Sequence, residues 1–182
     1  MKIKVGVSNR HIHLKQEDLD ILFGHSLSKR NDLKQPNQFA SNETLTIKTD
    51  KSEINNVRVL GPVRSYTQIE ISKTDAYKLG INPPVRNSGD LVNSEIVTLI
   101  GPNGSIKTNG CIIANRHIHI TKKDKLKFNL PDKVLVKIEG EKKGVIEVEV
   151  KESDEAYLEL HLDTDDANAF LLNNDDEVDI LI

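Results

Sequence analysis

The chain has 182 residues, 37% of them hydrophobic, and a formal net charge of −3, which is enough material to bury a core as one domain or two small ones. The mild negative charge and the lack of a long basic stripe exclude electrostatic binding to nucleic acid, and no apolar run approaches the roughly twenty residues of a transmembrane helix. One cysteine excludes an intrachain disulfide, and the short alternating start lacks the apolar stretch of a signal peptide, so the chain reads as soluble and cytoplasmic.

Residues 3–7 alternate as a strand and run into the pentapeptide Asn9-Arg-His-Ile-His13. Residues 16–23 follow as a short helix. Strands are predicted over 44–48, 57–60 and 67–71, and a helix over 73–79 that stops at Gly80. Residues 96–100 and 112–114 are again short and β-branched, and the second of these meets a second copy of the pentapeptide, Asn115-Arg-His-Ile-His119. Thr121 and Asp124 then have the spacing of a capping box, with Asp in place of the usual Glu or Gln. Strands over 134–138, 145–150 and 158–162 and a helix over 165–172 complete the pattern. Turn chemistry at Gly61-Pro62, Asn82-Pro83-Pro84, Gly101-Pro102-Asn103-Gly104 and Glu139-Gly140 separates them. Many short strands with few helices predict a mainly β chain of small barrels or sandwiches, and the repeat alone suggests two halves.

Side chains at i and i+2 of an extended segment leave the same face, so each His-x-His is a pair of imidazoles aimed one way. Neutral imidazole suits zinc and related metals, and the duplication of the motif with its Asn-Arg prefix points to a metal site formed by His11, His13, His117 and His119. His161 shares a strand face with Glu159 and Asp163, which fits either a fifth ligand or an exposed polar face. Glu70 stands between Ile69 and Ile71 and is either a solvent-face residue, which the pattern favours, or an inward carboxylate ligand. Arg64 follows a turn and has the fork to hold phosphate, although an isolated loop arginine is ordinarily solvated. His25 reads as loop punctuation. Cys111 lies six residues before His117, about 20 Å along an extended strand, and is left out of the site. No Walker loop, Gly-x-Gly-x-x-Gly, Gly-x-Ser-x-Gly elbow or His-Glu-x-x-His occurs, so covalent serine or cysteine chemistry has no support.

Taken together, Val5-Gly-Val-Ser-Asn-Arg-His-Ile-His-Leu14, Gln35-Pro-Asn-Gln-Phe-Ala40, Val57-Arg-Val-Leu-Gly-Pro-Val-Arg64, Gln68-Ile-Glu-Ile-Ser72, Pro84-Val-Arg-Asn-Ser-Gly-Asp90, Ile112-Ile-Ala-Asn-Arg-His-Ile-His-Ile120 and Leu158-Glu-Leu-His-Leu-Asp-Thr-Asp-Asp-Ala-Asn-Ala169 resemble the PduL-type phosphate propanoyltransferases (phosphotransacylases). The resemblance implies transfer of a short acyl group, propanoyl or acetyl, between coenzyme A and inorganic phosphate, giving acyl phosphate. It also implies two small packed β-barrels with short capping helices, spanning 1–10 with 115–182 and 11–114, and two zinc ions between them. The implied ligands are His11, His13, Glu70, His117, His119 and His161, with Arg64 binding phosphate. A homodimer and a role in fermentation or propanediol degradation are further implications. Microcompartment relatives carry an extension ahead of the first strand, whereas here the strand starts at Ile3, so free cytoplasmic work is expected. Arg86 is the one candidate for a coenzyme A contact. The rival readings from the residues alone are a zinc hydrolase and a closed structural metal site.

Overall fold

The computed structural model describes residues 1–181. In chain order the first half forms β1 (Lys2–Ser8), β2 (His11–His13), α1 (Gln16–Phe23), β3 (Lys29–Asp32), β4 (Phe39–Lys48), β5 (Glu53–Gly61), β6 (Gln68–Glu70), α2 (Lys73–Leu79), β7 (Val85–Arg86) and β8 (Glu95–Ile100). The second half forms β9 (Ser105–Ala114), β10 (His117–Thr121), α3 (Lys122–Lys127), β11 (Lys133–Ile138), β12 (Gly144–Ser153), β13 (Glu159–Asp163), α4 (Thr164–Phe170) and β14 (Glu177–Leu181). The nine strands expected from sequence all overlap observed strands. Among the described residues no helix is long and apolar enough to cross a membrane.

Two compact units divide the chain: a split one, Met1–Asn9 with Asn115–Ile182, and a continuous one, Arg10–Ala114. In the split unit the strands close into a six-stranded barrel in the order β1-β13-β10-β12-β11-β14. The continuous unit closes as β4-β5-β2-β6-β9-β8, with β8 returning to β4 while β3 and β7 lie beside the ring. Among the described residues the chain is thus mainly β, with two closed barrels and four short helices.

The two rings have the same connectivity. Strand β2 runs parallel to β5 and antiparallel to β6, as β10 does to β12 and β13. Parallel pairing of β6 with β9 matches that of β13 with β1, and antiparallel pairing of β9 with β8 matches that of β1 with β14. The ring is completed through β4 on one side and β11 on the other. The sequence repeat is therefore a structural repeat with one exchange. The strand before each His-x-His, β1 or β9, belongs to the unit that the His-x-His strand does not join.

Period-two alternation fills each barrel. Ile3, Val5, Ile118, Ile120, Val136, Ile138, Leu160 and Leu162 belong to the buried core of the split unit. Ile12, Leu14, Leu45, Ile47, Val59, Ile69, Leu99 and Cys111 belong to that of the continuous unit. Because Ile12 and Ile118 point inward, the flanking histidines are forced onto the outer faces of the barrels. Helices α2, α3 and α4 begin with matched chemistry: Ser72 accepts from the Asp75 N–H, Thr121 from Asp124 and Asp163 from Asp166. The complete capping box falls at Ser72 and Asp75.

Candidate functional site

In the continuous unit β2 is three residues long and sits between β5 and β6, in a register that sets His11 opposite Glu70 and His13 opposite Gln68. His11 Nε2 stands 3.4 Å from Glu70 Oε2, and the rings of His11 and His13 meet edge to face at 5.0 Å. The second Glu70 oxygen accepts from Gln68 Nε2 at 2.6 Å. Glu70 does not point inward: Ile69 and Ile71 fill the core, and the carboxylate lies on the outer face beside the histidines. The cross-strand neighbour makes it part of a donor cluster.

His13 tests whether these residues fit a cation. Its Nδ1 is buried with no hydrogen-bond partner, while the ring's other nitrogen bonds the Leu60 carbonyl. Burial above all, then His11 and Arg64, hold its pKa well below the ordinary imidazole value, against Glu70 and the Leu60 bond. A neutral imidazole with an unsatisfied buried nitrogen is costly on its own and is the form that binds a metal, so the donor set fits one. The same shift sets a pH response in the metal-free protein. The unfolded His13 takes up a proton near its ordinary value of 6.5, the folded one resists, and stability present above that pH is lost below it. Chemical denaturation of metal-free protein across pH 7 to 5 should show the midpoint falling, and His13→Gln should flatten that fall (about pH 7 to 5 brackets the imidazole range).

In the split unit β10 lies between β12 and β13, with His117 opposite His161 and His119 opposite Glu159. His117 Nδ1 donates to the Asn115 carbonyl at 2.8 Å, which leaves Nε2 as a lone pair facing His119 Nε2 at 3.0 Å. Zinc–nitrogen bonds of about 2.0–2.1 Å at tetrahedral angles would separate two nitrogens by about 3.3 Å, close to that spacing. The His161 ring is 5.3 Å from that of His117 and 4.5 Å from that of His119. Its Nε2 contacts Glu159 Oε2 at 2.9 Å, and Glu159 is buried. Gly6 makes room for that carboxylate, since a Cβ there would lie 2.5 Å from Glu159 Oε2.

Each unit therefore offers three donor atoms within 4.8 Å of one another: His11, His13 and Glu70 in one, His117, His119 and His161 in the other. Under the strand repeat Glu70 and His161 occupy the same place, opposite the first histidine of the pair. One triad carries a carboxylate and the other is all imidazole.

Arg64 is joined to the carboxylate triad by hydrogen bonds. Its backbone N–H donates to the Leu14 carbonyl at 2.8 Å, and its Nη1 reaches Ser88 Oγ at 3.1 Å and Tyr66 Oη at 3.5 Å. Gln68 Nε2 also reaches Ser88 Oγ, at 3.0 Å, and its Oε1 accepts from the Gly89 N–H at 2.8 Å. The guanidinium fork of Arg64 is thus connected through Ser88 and Gln68 to Glu70. Gln68 and Ser88 were not singled out from sequence. The only available signal was that Gln68 shares the Glu70 strand face and Ser88 sits in an Asn-Ser-Gly turn.

The remaining candidates lie elsewhere. Arg86 braces its own loop, donating to the Val85 and Val92 carbonyls and facing Asp90 at 3.6 Å. His25 is exposed and bonds the adjacent Ser26 carbonyl. Cys111 is a core residue whose thiol is pushed up to about 12 by burial, then by Glu95 and Asp75, which makes it a poor nucleophile.

Residues 4–173 match the sequence model of the phosphate propanoyltransferase family. A phosphate propanoyltransferase of Thermotoga maritima is 49% identical over 98% of this chain and 89% of its own length. The enzyme of that name from Rhodopseudomonas palustris is 45% identical over 98% of this chain and 82% of its own. That of Salmonella typhimurium is 44% identical over 92% and 82%. The chain, an acyltransferase, belongs to the phosphate propanoyltransferase family.

Proposed function

We propose that the protein interconverts a short-chain acyl-CoA, propanoyl-CoA or acetyl-CoA, and inorganic phosphate with acyl phosphate and CoA, using two zinc ions. His11, His13 and Glu70 would hold one ion, and His117, His119 and His161 the other. The observation that carries the reading is the pair of repeat-related triads, one of them linked to an arginine suited to phosphate. Zinc would supply positive charge that offsets the phosphate and stabilises the developing oxyanion.

The chain's own residues account for the rest. The Arg64 guanidinium, braced by Ser88 and Tyr66, would grip two phosphate oxygens and leave a third free to attack the thioester carbonyl carbon. The carbon–oxygen bond forms, the carbon–sulfur bond breaks, and CoA departs as thiolate. Holding two reactants in this way can lower a barrier by about 7–11 kcal/mol. The inert Cys111 thiol and the lack of a serine elbow support direct attack over an acyl-enzyme. The same reading includes a homodimer in the cytoplasm, which the free thiol of Cys111 suits.

The test is to incubate protein with propanoyl-CoA, acetyl-CoA and longer acyl-CoAs, with and without phosphate, and to measure thiol and acyl phosphate together. Thiol and acyl phosphate should rise one for one and only with phosphate, and initial-rate lines should intersect. Thiol release without phosphate would make the protein a hydrolase. Parallel lines with a trapped acyl-protein would replace direct attack by a covalent route.

A further inference from the structure

Both triads are framed by the same ion pair. Arg10, the residue before His11, places Nε 3.0 Å from each Asp75 oxygen and Nη2 2.9 Å from Oδ1. Arg116, the residue before His117, places Nη2 2.7 Å from Asp166 Oδ1. Asp75 stands five residues after Glu70, and Asp166 five residues after His161. Each acid is the third residue of a helix whose cap, Ser72 or Asp163, lies two residues beyond the strand ligand.

We propose that Arg10–Asp75 and Arg116–Asp166 are positioning pairs that set the bite of the two metal triads. The inference rests on the metal reading above. Strands β2 and β6 are three residues each, so their ladder has few hydrogen bonds to fix the spacing between His11 and Glu70. The ion pair ties the peptide entering β2 to the helix leaving β6, and so closes a ring of covalent chain and ion pair around the three ligands. The split unit repeats this ring with β10, β13 and α4. Asp75 is buried with its carboxylate accepting from the Ser72 N–H, and Asp166 is half-buried with its backbone N–H donating to Asp163, so each guanidinium docks on an acid anchored in the first turn of its helix. The sequences between ligand and acid differ, Ile-Ser-Lys-Thr against Leu-Asp-Thr-Asp, yet the pairing is the same. A chance surface contact would not be placed twice at matching offsets.

A field effect and a positioning effect predict opposite signs at the arginine. Removing its positive charge would by field alone tighten a nearby cation, whereas loss of positioning loosens it. The experiment is zinc competition against a chromogenic chelator on Arg10→Gln, Asp75→Asn, Arg116→Gln and Asp166→Asn, with circular dichroism and thermal melting of the metal-free forms. Each single variant should weaken one zinc ion per chain by about tenfold, the low end for residues that support metal ligands, and leave the other ion as in the parent. Tighter zinc in the arginine variants, or lower melting with unchanged zinc affinity, would overturn the proposal. A parent protein that binds no zinc would instead remove the metal reading on which it rests.

Discussion

Replacing His117 by alanine should cost the protein one of the two zinc ions proposed for it and most of its turnover together. His117 places Nε2 3.0 Å from His119 Nε2, and its ring lies 5.3 Å from that of His161. Its tautomer is fixed by the Asn115 carbonyl, so its Nε2 is a prepared lone pair rather than a mobile donor. Without it two imidazoles remain, fewer than the three protein ligands of a usual catalytic zinc site. The metal retained after dialysis should fall from about two ions per chain to about one, and kcat should drop by roughly 10²–10³-fold, the scale of losing one electrostatic stabiliser of a transition state. Elemental analysis and the thiol assay on the same sample check both. Normal zinc with lost activity would remove His117 from the ligand set. Because Ile118 and Ile120 carry the packing of β10, the barrel should stay folded.

Arg64→Ala should separate phosphate use from metal binding. The side chain's fork is the part at stake, since the backbone N–H keeps its bond to Leu14 whatever the residue. Its positive charge lowers the proton affinity of His13 and would also repel a cation, so removing it gives no reason for zinc to leave. Zinc content should be unchanged while kcat/KM for phosphate falls by about 10²–10³-fold. Arg64→Lys should recover little of this, because an ammonium supplies charge without the planar fork. Loss of zinc from Arg64→Ala would count against its assigned role.

Much of this arrangement was legible in the chain. Alternation around Ile12 and Ile118 is enough to put four histidines on two outer faces, and its place in an apolar strand is enough to make Cys111 a buried core residue. Periodicity does not encode which strand becomes a neighbour. The register of β2 against β6, some sixty residues downstream by sequence, decides that Glu70 meets His11 (about sixty, with strand pairing at such separations set by tertiary packing). For the same reason the equivalence of Glu70 and His161 was invisible: their surroundings share no motif, only a place in the ring. Strand β3, Lys29-Arg-Asn-Asp32, is exposed throughout and has no apolar residue to announce it. Strand β14 has just Val178 and Ile180 inward, after an acidic run that reads as loop. The Arg10–Asp75 pair escaped because the arginine looked like part of a motif prefix and the acid like a routine helix start.

The exchange of first strands also orders events during synthesis. The chain from Arg10 to Ala114 is continuous, so its barrel has all its strands as soon as β9 is made. Strand β1 emerges before any of these yet pairs with β13 and β14, Val5 with Leu160 and Ile3 with Val178. Contacts so distant along the chain close slowly, and an unpaired strand is exposed to wrong partners while it waits. A molecule whose two rings match in space is therefore lopsided in time: the barrel containing the first residues is the last to close, and the all-imidazole triad is completed only when His161 arrives.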